Sequence, residues 1–366
     1  MKWFERDLNF DLWLLGAILI LSLFGLIMVY STSSILAQEY YQDPYFFLKK
    51  HLIWLGMGLS LMFLVMHLDH NHLRYFAFPL VVLAILLLAV VFVFPPIRGA
   101  HRWIHLGPIQ FQPSEIAKLA LVIYLAHSLA KRDENLKSFK KGFIPFLLII
   151  GLVVGLVLIE PDFGGALSIA LLALLMLYIA GVRLSYLIGA GLLSAPLLYF
   201  FLIHEDYRWQ RIIAFLDPWQ YAQSAGFQLI QSFFAFGSGG IFGVGLGMSH
   251  QKLFYLPDAH TDFIFSVIGE ELGWIGVMVV IIIFGIFITR GLWVAILSPN
   301  KYSCYLAMGL TAMIGLPAVI NMAVVTGLLP TKGLVLPFLS YGGSSLVINF
   351  VCCGILLNIS AKRYQR

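Results

Sequence analysis

Leu12-Trp-Leu-Leu-Gly-Ala-Ile-Leu-Ile-Leu-Ser-Leu-Phe-Gly-Leu-Ile-Met-Val-Tyr30 decides the class of this chain. No charged side chain interrupts it. An α-helix crosses the ~30 Å hydrocarbon core of a bilayer in about 20 such residues. No convincing small-residue cleavage site follows Tyr30, so the run reads as a retained span rather than a secretory leader.

Runs of the same kind recur along the chain. They predict spans at 12–31, 50–68, 77–95, 114–130, 142–159, 164–181, 184–203, 263–289, 303–328 and 337–360. The composition agrees: 60% of the 366 residues are hydrophobic and 11% charged. The mean hydropathy is +0.91, and a soluble domain carries roughly 25% charged residues. The expectation is an all-α polytopic membrane protein, residues 1–366 forming a single integral membrane domain of about ten transmembrane helices. Both termini then lie on one side.

Lys and Arg say which side. Lys2, Arg6, Arg74, Lys131, Arg132, Lys137, Lys140, Lys141, Arg183, Arg290, Lys301, Lys362, Arg363 and Arg366 fall in one set of segments. The opposite set holds fewer, so the first set, with both termini, is cytoplasmic. The pI near 9.0 is then an orientation signal. No basic run interleaves with exposed aromatics, which argues against nucleic acid as a partner. Cys304, Cys352 and Cys353 lack metal-ligand spacing and read as packing residues. His67, His70 and His72 read as a solvated cytoplasmic loop, with a metal site as the alternative.

The other side is richer. A large extracytoplasmic loop, residues 204–261, separates helices 7 and 8 and is far longer than an ordinary connection. Within it, residues 227–236 suggest an interfacial or re-entrant helix. The glycine run at 237–247 lacks a Lys-Ser/Thr ending, so it reads as a tight backbone bend rather than a phosphate loop. Loops of this length usually carry function.

One stretch there concentrates carboxylates: Leu256-Pro-Asp-Ala-His-Thr-Asp-Phe-Ile-Phe265, running into Ser266-Val-Ile-Gly-Glu-Glu-Leu-Gly273. Ionisable groups are expensive in a bilayer and mark function where they persist. Asp262, Ser266, Gly269, Gly273 and Gly276 recur at helical spacing and form one stripe of a continuous helix. Glu270 lies about 80° off that stripe and roughly 12 Å deeper. The alternative for Asp262 is a carboxylate that merely offsets the helix dipole.

Glu115 and Lys118 share a face at the start of the fourth span. They read either as a snorkelling pair or as groups lining a polar cavity. Arg98, Arg102, Arg208, Arg211, Lys252 and Lys332 all fall on the outer side, against the orientation bias. As a set they point to an anionic ligand, since guanidinium forks match phosphate oxygens.

Several motifs carry a resemblance. Asn321, Gly327-Leu328, Pro330-Thr-Lys-Gly333 and Phe338-Leu-Ser-Tyr-Gly-Gly-Ser-Ser345 are similar to the signature of the shape, elongation, division and sporulation (SEDS) family. The resemblance extends to residues 107–118, Pro161-Asp-Phe-Gly164, Phe215-Leu-Asp-Pro218 and Gln251-Lys-Leu-Phe-Tyr-Leu-Pro-Asp-Ala-His-Thr-Asp262. It is stronger to the cell-division branch than to the elongation branch. Asp258 and Glu160 depart from it, where Glu and Gln are usual.

The resemblance implies a peptidoglycan glycosyltransferase that polymerises lipid II at the outer face of the bacterial cytoplasmic (inner) membrane, at the division septum. It implies a class B penicillin-binding protein and divisome proteins as partners, and a divalent cation (Mg2+ or Mn2+) as cofactor. The family's essential aspartate matches Asp262, as general base or as metal ligand. Its outer arginine matches Arg102. His260 and Ser340, inside two of the motifs, join Arg98, Arg102, Glu115, Lys118, Arg208, Arg211, Lys252 and Lys332 as substrate-binding candidates. The rival expectations are a lipid II flippase, for which polar groups through the full depth are lacking, and a scaffold that only docks the transpeptidase.

Overall fold

The computed structural model describes residues 10–96, 99–106, 109–203, 206–253 and 255–363. Its helices are α1 (Leu12–Tyr41), α2 (Phe46–His67), α3 (Leu73–Val90), α4 (Pro113–Lys131), α5 (Ile144–Ile159), α6 (Phe163–Ile179), α7 (Leu184–Ile203), α8 (Asp206–Leu216), α9 (Phe227–Gly239), α10 (Ile264–Ile296), α11 (Lys301–Val325) and α12 (Gly343–Arg363). A hairpin of β1 (Ile104–Leu106) and β2 (Ile109–Phe111) precedes α4, paired antiparallel with His105 opposite Gln110.

The fold is that of an all-α polytopic membrane protein. A helix occupies each of the ten predicted spans: α1 to α7 and α10 to α12. Eight helical stretches among the described residues are long and apolar enough to cross a bilayer. α6 is shorter, and α4 is not among the eight; Glu115 and Lys118 fall in its first turns. The last predicted span begins late, at Gly343, because residues 326–342 form irregular backbone instead. Sequence reading missed the hairpin and α8. It anticipated α9.

Side chains at the helix starts fix where the chain turns inward. Asp11 accepts from the Leu14 N–H at 3.0 Å, Asp162 from the Gly165 N–H at 2.9 Å, and Asn300 from the Ser303 N–H at 2.9 Å. Pro113 opens α4, where its missing N–H is no loss. α12 is the most buried span and packs along α2. A methyl group on Gly58 would meet the Phe350 ring at 2.4 Å, so the small residue permits that close approach.

α10 departs from expectation. Gly273 has φ 65° and ψ −162°, which breaks the helix within its buried length. Apolar surroundings require every backbone group freed there to find a partner. The 237–247 glycine run supplies them. Val244 and Gly245 N–H groups donate to the Glu270 and Glu271 carbonyls, each at 3.0 Å. The Trp274 and Ile275 N–H groups donate to the Gly240 and Ile241 carbonyls at 2.9 and 3.2 Å. The predicted stripe from Asp262 to Gly276 is therefore not continuous. Asp262 lies in the turn before α10, and the helix is interrupted at the stripe's fourth member.

At the other end of the bundle His70 is buried rather than solvated. Its Nδ1 meets Asn358 Oδ1 at 2.7 Å and its Nε2 meets Ser303 Oγ at 2.8 Å. Both ring nitrogens are thereby used, tying the turn before α3 to α11 and α12. Arg290, expected in a loop, lies within α10 and pairs with Asp11. The three cysteines are free, and Cys352 and Cys353 are packed inside α12.

Candidate functional site

The starts of α4, α6 and α12 come together at one end of the bundle, joined by the loop that leads into α10. Hydrogen bonds record the meeting. The Gln112 N–H donates to Ser344 Oγ at 3.3 Å, and Gln112 Nε2 donates to Asp162 at 3.4 Å. The Tyr341 N–H donates to the His260 carbonyl at 3.0 Å. Each N-terminus presents the positive end of a helix dipole, so the arrangement favours an anion.

Asp262 is half-buried beside this junction. Its backbone carbonyl accepts from Asn321 Nδ2 at 2.8 Å, and the same amide donates to the Leu334 carbonyl. Asn321 thus ties the loop before α10 to the loop after α11. Gly333 lies against the Asp262 carboxylate: a Cβ there would sit 2.9 Å from Oδ2. Ser340 adds a second tie, donating to the Thr261 carbonyl while accepting from the Leu336 N–H. Asp258 and Phe338, one in each of these loops, have φ 56° and 64°. Non-glycine residues in the left-handed region are held there only by well-determined surroundings, which functional sites commonly provide.

A second acid, Asp162, lies beside Lys332, the residue before Gly333. Asp162 caps α6, and an Arg102 amino group lies 4.0 Å from it. The other Arg102 amino group donates to the Pro161 carbonyl. The Lys332 stem passes Gly164, which also abuts Asp162. Burial drives the Lys332 ammonium down to about 8, with Asp162 opposing the shift and Lys118 adding to it. Lys118 donates to Glu115 at 2.6 Å, both nearly buried, so this pair lines the same region rather than snorkelling away from it. Glu160, before Asp162, is fully buried, and its desolvation carries its ionisation up to about 8.

The predicted site residues divide accordingly. The structure gathers Asp262, Lys332, Arg102, Glu115 and Lys118. Arg208 reaches the rim from α8, 5.9 Å above the Phe163 ring, and donates to the Phe201 carbonyl. Arg211 lies one turn along, 5.8 Å from the Tyr207 ring. His260 sits tilted in an aromatic cluster with Phe47 and Tyr341, and Ser340 is taken up by backbone ties, so both shape the loop. Arg98 lies outside the described residues.

Lys252 is a correction. It is not a cation awaiting a ligand but is buried, 2.9 Å from Glu271, with Ser31 donating to the same carboxylate at 2.7 Å. Glu270 likewise serves the loop, accepting from the His250 N–H at 2.9 Å and from Ser249. Asp162, Gln112 and Asn321 were not singled out beforehand as site residues. For Asp162 a signal existed: an acid immediately before an apolar run marks a helix cap.

The charge pattern suits a ligand carrying phosphate. Among the described residues no group of three or more His, Cys, Asp or Glu forms a metal site. A hard divalent ion that keeps its waters needs only one or two carboxylates when the substrate supplies phosphate oxygens. One carboxylate at Asp262 fits that requirement.

A family model described as "cell cycle protein" and covering FtsW, RodA and SpoVE matches residues 12–365. A "Probable peptidoglycan glycosyltransferase FtsW" of Geobacter sp. (strain M18) is 47% identical over 98% of this chain and 98% of its own length. Stage V sporulation protein E of Bacillus subtilis is 39% identical over 97% of this chain and 98% of its own. Among solved structures, a chain described in "Structural coordination of polymerization and crosslinking by a peptidoglycan synthase complex" superposes with a TM-score of 0.79 and 30% identity, over 98% of this chain and all of the other. The rod shape determining protein RodA of Thermus thermophilus superposes with a TM-score of 0.73 and 29% identity, over 98% and 99% of the two chains.

Proposed function

The chain belongs to the cell cycle protein family of FtsW, RodA and SpoVE, and on that premise we propose that it joins lipid-linked sugars at the rim shared by Asp262 and Lys332. It is a multi-pass membrane protein and a peptidoglycan glycosyltransferase, with the cell-division role that its FtsW relatives carry in their names. The single observation that carries the site is the placement of Asp262 against Gly333, one residue from a cation that also faces Asp162.

The substrate is lipid II. An acceptor sugar hydroxyl attacks the anomeric carbon of the donor, and the lipid pyrophosphate leaves. Asp262 takes the proton from the attacking hydroxyl. Arg102 and Lys332 meet the charge that develops on the departing pyrophosphate, helped by the converging helix N-termini. Removing one such donor typically lowers rate by about 10²–10³. Alternatively, Asp262 would hold a divalent cation, which when bound would supply charge neutralisation for the leaving group. Lipid tails lie along the apolar outer helix faces while headgroups enter the polar rim.

The Lys and Arg distribution supports a reading in which both termini are cytoplasmic and this rim opens at the outer face of the bacterial inner membrane. A class B penicillin-binding protein that crosslinks the product is the natural partner, together with divisome proteins at the septum. A neighbour described for coordinating polymerisation and crosslinking supports that pairing. The break in α10 does not favour a flippase, because backbone from the 240–245 segment fills it.

The test is reconstitution. The purified chain with its transpeptidase, lipid II and a divalent cation should yield glycan polymer, and Asp262→Ala should yield none while keeping partner binding. Normal polymer from the variant removes Asp262 from the chemistry. Scrambling of labelled lipid II in liposomes without polymer replaces the enzyme by a transporter.

A further inference from the structure

Glu160 closes α5 and is fully buried, yet neither carboxyl oxygen has a hydrogen-bond partner among the described residues. The Nε of Arg102, also shielded from solvent, is equally without one. Both groups lie at the α5–α6 turn, where the Arg102 charge acts on Glu160. An Arg102 amino group donates to the carbonyl of Pro161, the residue after Glu160, and the other lies 4.0 Å from Asp162. The Arg102 side chain is still 36% exposed, so part of the guanidinium faces the rim. An ionised carboxylate buried without donors is strongly disfavoured, and a neutral acid much less so.

We propose that Glu160 is held as a neutral acid and acts as a positioning residue for Arg102, leaving the guanidinium to the substrate's pyrophosphate until loss of the Glu160 proton turns it into a competing anion. This rests on the polymerase reading above. The step is a simple ionisation: the proton passes to solvent and the carboxylate competes with the substrate's anion for Arg102. Desolvation and the Asp162 charge raise the Glu160 ionisation to about 8, and Arg102 opposes them. Among the described residues, those two are the charged groups that face Glu160. Lys332 lies beyond, beside Asp162, and Lys118 with Glu115 lies beyond that on α4.

The test compares the full-length protein, bound to its transpeptidase, with its Glu160→Gln variant, which keeps the shape of the neutral acid. First, infrared difference spectra taken without substrate, between about pH 6 and pH 9, should show a protonated-carboxyl C=O band that ionises in wild type and is missing in the variant. Second, the ratio of wild-type to variant KM for lipid II should be near one at low pH and rise roughly tenfold per pH unit above the ionisation, with kcat little changed. Lys332 titrates in both proteins and drops out of the ratio. A missing band, or a flat ratio, overturns the proposal. If neither protein polymerises at any pH, the polymerase reading fails, while the infrared band still reports the proton.

Discussion

Gly333 backs the Asp262 carboxylate so closely that a single methyl group at position 333 would come within 2.9 Å of Oδ2. Gly333 is itself exposed and outside the left-handed region, so the fold does not need glycine there for its backbone. The closeness serves the position of the acid. Gly333→Ala should therefore fold normally and shift the Asp262 side chain. Misplacement by about 1 Å can lower a rate by about 10². Polymer yield with an unchanged melting temperature is the measurement; wild-type activity in Gly333→Ala would mean the carboxylate has room to spare.

Asn321 holds the two site loops together through one amide donating to two carbonyls. Asn321→Ala leaves two half-buried carbonyls without this donor, which costs up to about 1–3 kcal/mol for each such group. Asn321→Asp keeps the shape but removes the donors and adds charge, and should be worse. Thermal unfolding in detergent ranks the variants. An Asp variant as stable as wild type would show that the amide is not the tie.

The Lys252–Glu271 pair lies almost wholly out of solvent. Removing one partner strands a buried charge, so Lys252→Met should lose about 3–5 kcal/mol. Adding Glu271→Leu to it should recover much of that loss, because replacing both charges by apolar groups is often close to neutral. Melting temperatures of the single and double variants decide it, and a double variant no better than the single one would refute the account.

Glu160 and Lys332 give the folded protein opposite pH dependences. Glu160 ionises at about 8 when folded against an ordinary 4.5, so the native state holds the extra proton between those values. Stability is then lost as pH rises through that window. Lys332 ionises at about 8 against 10.5, so the unfolded chain holds the extra proton and stability is gained from about 8 upward. Glu160→Gln should remove the first slope and leave the second. Melting curves across pH test this, and parallel profiles for the two proteins would count against it.

The apolar spans were legible because a bilayer demands long uncharged runs, and Asp262 was legible because a carboxylate survives at the end of one. The break in α10 was not. Gly273 fits a helical stripe of small residues, and nothing in spacing distinguishes a packing glycine from one with φ 65°. Lys252 looked like a ligand cation because its partner is 19 residues away on another element. Charge alone does not say which way a side chain turns. Asp162 and Arg102 come together from positions 60 residues apart, so only the folded packing shows that they share a site.

The borrowed rungs that close the gap at Gly273 have a mechanical meaning. A continuous helix is a stiff rod, and tilting its membrane-spanning part would swing its tip. Here the tip that follows Asp262 is clamped sideways to residues 240–245 instead. The acid's position is thereby referred to the 237–247 glycine run, and bending of the rest of α10 is not passed rigidly to it.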